Sequence, residues 1–523
     1  MEDKLAIDDW SLAATNQIVL ILTIFFISVI LLLKRSTRSS SQSSKQLPGP
    51  WTLPIIGNLH QMVGPSLPHR RLTDLAKKYG PLMRLELGQV SCVVVSSPEW
   101  AKKFTQTHDA NFASRPQLPA ASIVLYGGRD IGFAPYGEYW KKMRRICATE
   151  LLGPKRVKSF RPIGEEEVSK LVRSIIIKSS DDHYRGTGRQ AVNVTQMLIS
   201  LGNSITVRAA FGRTSDQKKV KAFLPFMEQI IKKLGGFTLV DVFPSSKLLR
   251  FITGFDAKLN KLHEAADAIM EAIITDHLAR RSSAEHDDED LVDALLNLKE
   301  NNDLGFTYTN LEIKAVILDI FLAGTDTWSV TVEWAMSELM KNPSMMEKAQ
   351  KEVRRAFDGK GKVTDEASLA ELHYLQLVVK ETLRLHPAGP LAVPRESRET
   401  MVIDGYEIPA KTRIIINVGA ICQDPRHWNE PETFDPERFL NTSIDYKGLD
   451  FHFIPFGAGR RMCPGMHYGI AHVNLVLANL LYHFDWKLPS DITPQNFDMS
   501  EKFGLEVRRK NNLFLIPIPY CLN

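Results

Sequence analysis

The segment Pro455-Phe456-Gly457-Ala458-Gly459-Arg460-Arg461-Met462-Cys463-Pro464-Gly465 constrains this chain more than any other stretch. Its cysteine is bracketed by glycines and follows two arginines, a poor setting for a disulfide. Glycine leaves room for a flat group to approach the backbone, and the arginines can pair with carboxylates on that group. The combination suits a haem held through a thiolate from Cys463. A thiolate pushes electron density onto iron and favours O–O cleavage. The loop therefore predicts dioxygen activation, and the remainder of the chain should supply the parts that this chemistry needs.

The 523 residues are enough for a large core. Residues 51–523 show no composition break, low-complexity tract or fixed-period repeat, so one large domain is as much to be expected there as several. The net charge of +5 is small for this length. No dense basic stripe interleaved with aromatics appears, which argues against a nucleic-acid partner. Five cysteines, odd in number and without a C-x-x-C pair, fit a reducing compartment. Cys92, Cys147, Cys422 and Cys521 read as small buried hydrophobes.

From Leu12 to Leu33 the chain runs twenty-two residues without a charge, enough to cross a bilayer. Lys34, Arg35, Arg38 and Lys45 follow it, whereas Glu2, Asp3, Asp8 and Asp9 precede it. The positive side faces the cytosol, so residues 1–33 are expected to form a lumenal N-terminus and a single transmembrane anchor. A cleaved signal peptide fits less well, because the apolar run is long, its leader is acidic and no small-residue cleavage site follows. Residues 34–50 then read as a polar tether that stiffens at Leu47-Pro48-Gly49-Pro50, ahead of a catalytic domain over 51–523.

Residues 309–341 read as one long helix, opened by the capping box Thr309-x-x-Glu312 and closed by Lys341-Asn342-Pro343. In its middle lies Ala323-Gly324-Thr325-Asp326-Thr327. An interior glycine costs about 1 kcal/mol relative to alanine, and the close approach of a flat cofactor would justify it. Thr327 shares a face with Gly324, and with Asp326 it forms a pair suited to proton delivery. Glu381 and Arg384, three apart, share a helix face that His386-Pro387 ends. Arg438 of Pro436-Glu437-Arg438-Phe439 could close a charge triad with them; an exposed pair is the bland alternative. Trp140 and Arg144 share another face and suit a haem propionate. Lys141, Lys142 and Arg145 beside them form either a docking face for an acidic electron donor or a solvated basic face.

Phe456-x-x-Gly459-x-Arg461-x-Cys463-x-Gly465, Glu381-x-x-Arg384, Pro436-Glu437-Arg438-Phe439, Trp140-x-x-x-Arg144 and Ala323-Gly324-x-Asp326-Thr327 occur together in the order of a cytochrome P450, which the chain resembles from Pro48 to Lys510. Phe133-Ala134-Pro135-Tyr136-Gly137 and Asn479-Leu480-Leu481-Tyr482-His483-Phe484-Asp485-Trp486 are similar to the plant microsomal A-type group, rich in enzymes of specialised terpenoid metabolism. The resemblance implies a mainly α fold with a small β region and haem b on a thiolate from Cys463. Asp326 and Thr327 would be the oxygen-activation pair. Cofactor contacts would come from Trp140, Arg144, Arg395, Phe456, Arg461 and Gly465, and Glu381–Arg384–Arg438 would be a structural triad. It also implies an endoplasmic-reticulum enzyme facing the cytosol. Electrons would come from NADPH through a separate flavin-carrying reductase, with cytochrome b5 as an optional second donor. No G-x-G-x-x-G after a strand offers a nicotinamide or flavin site in the chain itself.

The expected substrate pocket is apolar: Leu322, Ala323, Ala392, Val393 and Leu505. It suits a hydrophobic sesquiterpenoid or diterpenoid that enters from the bilayer and is hydroxylated or epoxidised with O2. Phenolic or alkaloid oxygenation is the alternative substrate reading. An oxygen-independent haem-thiolate isomerase or dehydratase is the rival reaction, and it needs no proton relay. A membrane-anchored haem-binding scaffold without turnover is the rival of another class, and it needs neither acid nor alcohol. Three positions depart from the family pattern; His467, two residues after Gly465, is read as a packing or hydrogen-bonding residue rather than a second ligand. Trp328 stands where Ser or Thr is usual, four residues after Gly324, and its bulk is expected at the cofactor edge or the water path. Glu506 is either a pocket group or solvent-facing.

Overall fold

The computed structural model describes residues 45–179, 190–212, 217–234, 238–281, 289–300, 308–360, 363–504 and 506–520, together with Thr23. The expected anchor over 12–33, most of the tether, Cys521 and Leu505 lie outside the described residues, Thr23 excepted.

Helices dominate. Those that position the site are α1 (Glu138–Ile146), α2 (Val194–Phe211), α3 (Asn310–Gly324), α4 (Thr327–Lys341), α5 (His373–Leu385) and α6 (Met466–His483). Among the described residues, four small sheets accompany them. The largest contains β1 (Leu82–Leu87), β2 (Val90–Val95), β3 (Arg395–Glu396) and β4 (Arg413–Ile416) in the order β1-β2-β4-β3. β1 and β2 are antiparallel, with Leu82 opposite Val95; β2 and β4 are parallel, with Cys92 opposite Arg413. β3 closes the edge with Arg395 opposite Ile414. Near the C-terminus β5 (Glu501–Lys502) pairs with β6 (Arg508–Arg509) in a short hairpin.

The expected single helix over 309–341 is interrupted at Thr325–Asp326. Its start is as the sequence dictates: the Thr309 hydroxyl accepts from the Leu311 N–H, and the Glu312 carboxylate accepts from the Thr309 N–H at 2.8 Å. The end is also where Pro343 requires it. In the middle, hydroxyls compete for the ladder carbonyls: Thr327 Oγ1 donates to Ala323 O at 2.7 Å and Thr206 Oγ1 to Gly324 O at 3.4 Å. Such back-bonding loosens or bends helices. Gly202 of α2 approaches the same turn so closely that a Cβ there would stand 2.3 Å from Thr325 O. α3 packs in one apolar core and α4 in another, so the break lies at the seam between them.

Glu381 and Arg384 on α5 are both 0% exposed. Arg384 Nε and Nη2 each donate to the Glu381 carboxylate at 2.7 Å, and Arg438 Nε donates to the same group at 2.9 Å. Arg384 Nη1 also reaches Pro431 O at 2.7 Å, and the Asp435 N–H reaches Glu381 at 2.9 Å. Removing one member of a buried ion pair costs about 3–5 kcal/mol, because the other is left uncompensated. Glu381→Gln is therefore expected to lower the unfolding free energy by an amount of that order, read as a lower midpoint in urea or heat. An unchanged midpoint would show that the two guanidiniums do not need the carboxylate.

Candidate active site

A cavity of about 430 Å³ opens at the helix break. α3 and α4 line it with Asp319, Leu322, Ala323, Gly324, Thr327 and Trp328, and the cysteine loop lines it with Phe456, Arg461, Cys463 and Gly465. Ala392 and Val393, which follow α5, complete the apolar wall with Phe503.

The loop that carries Cys463 is shaped by two glycines and one acid. Gly457 and Gly459 have φ of +71° and +69°, a region L side chains rarely adopt. A Cβ at Gly459 would also stand 1.9 Å from Thr105 O and 2.8 Å from Asp109 Oδ2. Buried Asp109 grips the loop from outside: Oδ2 accepts from the Arg460 N–H at 2.7 Å and Oδ1 from Arg395 Nη1 at 2.6 Å. The Cys463 N–H donates to Phe456 O at 2.9 Å, which closes the turn. The thiol is accessible from the cavity. Burial raises its pKa, and the Gly465 backbone and the Arg144 guanidinium pull it back. Cys92, Cys147 and Cys422 are buried, free and pushed up to about 12 by that burial.

Five arginines line the cavity, and four of them, Arg115, Arg144, Arg395 and Arg461, lie within one another's field. Burial, followed by the charge of Arg395, lowers Arg461 to about 9, and burial lowers the other three. They are parked on backbone carbonyls: Arg461 on Ala113 O (2.7 Å) and Ile131 O (3.1 Å), Arg395 on Ala458 O (2.7 Å), Arg115 on Gly132 O (2.9 Å), Arg144 on Met462 O. Arg461 also lies 4.0 Å over the Trp140 ring, whose N–H donates to Ile131 O at 3.0 Å. Nearby acids do not balance this charge. Asp109 is committed to Arg395 and the loop. Asp130 is raised to about 6 by burial, and Asp319 is raised well above the carboxylate range by burial and by Asp130.

This donor set fits haem. A single thiol on the described wall offers the axial ligand, the excess positive charge calls for a group with two carboxylates, and the wall between is apolar. Gly324 fits as well. A Cβ there would meet only Ile320 Cγ2 at 3.9 Å and Tyr468 Cε1 at 4.0 Å, so protein packing alone does not demand glycine.

Thr327 lines the cavity, but Asp326 does not. Asp326 Oδ2 is paired with Arg508 Nη2 at 2.8 Å, and Arg508 Nε donates to Glu506 Oε1 at 3.0 Å. Of the expected pair, only the alcohol meets the cavity directly. Trp328 is buried, with its ring 5.4 Å from that of His472, and forms part of the wall. His467 is exposed. Of the basic residues on α1, Lys141 is exposed and paired with Glu138 at 2.6 Å, and Arg145 is exposed.

Several site residues carried no clear sequence signal. Asp109 opens a one-turn helix (Asp109–Phe112) and Arg115 stands in the loop after it, neither within a readable periodicity. Asp319 had one: a lone acid within the apolar run Ile317-Leu318-Asp319-Ile320-Phe321, on the same helix face as Ala323. Its Oδ2 accepts from the Ile131 N–H at 2.6 Å and so ties the Arg129–Pro135 loop to α3.

The Cytochrome P450 family model matches residues 47–515. Desmethyl-deoxy-podophyllotoxin synthase of Sinopodophyllum hexandrum is 50% identical over 498 residues, covering 94% of this chain and 95% of its own. Premnaspirodiene oxygenase of Hyoscyamus muticus is 47% identical over 499 residues, covering 95% and 97%. A solved zebra fish cytochrome P450 with progesterone aligns over 87% of this chain and 100% of its own, with a TM-score of 0.73 and 24% identity; that likeness concerns the fold. Gly459→Ala is expected to lower the haem-to-protein absorbance ratio severalfold, since both its φ and Thr105 O oppose a methyl group. A full haem complement in that variant would show that the loop has another conformation.

Proposed function

This chain belongs to the cytochrome P450 family and is a haem-thiolate monooxygenase; from that premise we propose that it inserts one oxygen atom from O2 into a largely apolar sesquiterpenoid or diterpenoid of plant specialised metabolism. The observation that carries this reading is a cavity with one thiol and one helix-break hydroxyl on an otherwise mostly apolar wall. The relative named premnaspirodiene oxygenase supports a terpenoid substrate. Oxygenation of a phenolic or alkaloid substrate is the second reading.

Haem held here supplies dioxygen activation on a thiolate-ligated iron. Cys463 provides the thiolate, and Arg144 and the Gly465 backbone favour its anionic form. Trp140, Arg144, Arg395, Phe456, Arg461 and Gly465 would hold the cofactor, the guanidiniums supplying positive charge for its propionates. Thr327 presents its hydroxyl oxygen to the cavity, where it can accept a proton and relay its own, which is otherwise donated to Ala323 O. Asp326 acts from behind that turn, its carboxylate fixed by Arg508. Leu322, Ala323, Ala392, Val393 and Leu505 exclude water and seat the substrate. Electrons arrive from NADPH through a separate reductase that docks on the basic face of Lys141, Lys142 and Arg145, with cytochrome b5 as an optional second donor. Residues 12–33 anchor the chain in the endoplasmic reticulum membrane, 34–50 tether it, and the catalytic domain from residue 51 onward faces the cytosol. Glu381, Arg384 and Arg438 maintain the architecture under the cysteine loop.

Microsomes containing the chain and a plant reductase, fed a panel of terpenoids and phenolics, test this reading by mass spectrometry. Product should depend on NADPH and reductase, and product without either would favour the isomerase reading. Cys463→Ala is expected to abolish the carbon-monoxide band of reduced thiolate-ligated haem. Thr327→Ala is expected to lower product per NADPH about tenfold or more while peroxide release rises. Unchanged coupling would remove Thr327 from proton handling.

A further inference from the structure

One acid of the cavity wall has no part in the chemistry above. Glu506, in the turn between β5 and β6, is 8% exposed and lines the cavity with Phe503 and Gly504. Its Oε1 accepts from Arg508 Nε and its own backbone N–H also favours the carboxylate, while no side-chain donor reaches Oε2 among the described residues. Arg508 does not require this partner, because its Nη2 is already paired with Asp326. One cation therefore serves two carboxylates. Burial raises the Glu506 carboxyl, Arg508 opposes that shift and Asp326 adds to it.

A ligand that fills the cavity displaces water from this oxygen, and unless it donates in its turn the carboxylate is left unsatisfied. The adjoining wall offers no donor. The Val507 N–H donates to Ala388 O at 2.9 Å, which sets the turn beside Ala388–Val393, a stretch whose side chains carry no donor. The missing donor is thus expected on the ligand. An ammonium group suits the position poorly, since Arg508 stands within hydrogen-bond distance of the same carboxyl and repels it.

We propose that Glu506 is the polar anchor of the substrate cavity, and that it selects substrates already bearing a hydroxyl group, donated to Oε2, over their deoxygenated congeners. The proposal rests on the terpenoid reading above and narrows it.

The test uses the full-length holoenzyme in lipid nanodiscs. It is titrated with a sesquiterpene hydrocarbon and with a set of its regioisomeric alcohols, and the low- to high-spin shift of the haem band is followed. That shift reports occupancy without turnover. At least one alcohol should bind about tenfold tighter than the hydrocarbon. Glu506→Leu should abolish the preference, and Glu506→Gln, which keeps a carbonyl acceptor, should retain most of it. Equal affinities in the wild type, or a full preference in Glu506→Leu, overturn the anchor and leave the terpenoid reading standing. If no ligand shifts the band of intact holoenzyme, the terpenoid reading is overturned and the anchor with it.

Discussion

Arg384 is a guanidinium without contact with water, and each nitrogen has a designated acceptor: the Glu381 carboxylate, Cys422 O, Pro431 O and Thr433 O. A buried charge that loses its partners is far costlier than one never buried. The chain from Cys422 to Phe439 is thereby compelled to fold back onto α5, and Arg438 fastens it to the same carboxylate. The chain reaches the cysteine loop from this anchored segment, and Asp109 grips the loop from the opposite side. Cys463 is consequently positioned by two charge networks, one beneath the site and one at its rim, and the apolar cores supply the bulk between them.

The electrostatics of the cavity divide by location. Cations gather at the cysteine side, where burial and mutual repulsion depress their pKa values and an anionic cofactor edge would relieve them. Acids gather along α3 and at the C-terminal hairpin, in two pairs. Asp130 and Asp319 lie close to one another without an ion pair among the described residues, and burial raises both carboxyls, Asp319 further because of the Asp130 charge. Asp326 and Glu506 share Arg508. The first pair ties a cavity-wall loop to α3, while the second joins the hairpin to the helix break. The break itself follows from hydroxyls that draw carbonyls out of the ladder, so the residues that open α3–α4 are also those that present Thr327 to the cavity.

Much of this was legible from local pattern. The capping box at Thr309, the stop before Pro343 and the end of α5 at His386 follow from rules that act within a few residues. The proximity of Glu381 and Arg384 is likewise set by helical periodicity. The helix break was not legible, because it depends on Thr206 and Gly202 from α2, far away in sequence. The same holds for Arg508, whose pairing with Asp326 joins the C-terminal hairpin to the central helix. Glu506 could not be oriented from sequence, since a single acid in a short turn can point either way. Its burial is decided by the contact of Val507 with Ala388. Leu505, expected in the pocket, lies outside the described residues.

Isotopic oxygen tests the central claim most directly. Reconstituted enzyme and reductase, supplied with NADPH and a turned-over terpenoid under ¹⁸O₂, should yield product carrying one ¹⁸O atom per oxidation, with none gained from H₂¹⁸O. Product that takes its oxygen from water, or that forms at full yield under argon, would contradict an oxygen-activating thiolate site at Cys463.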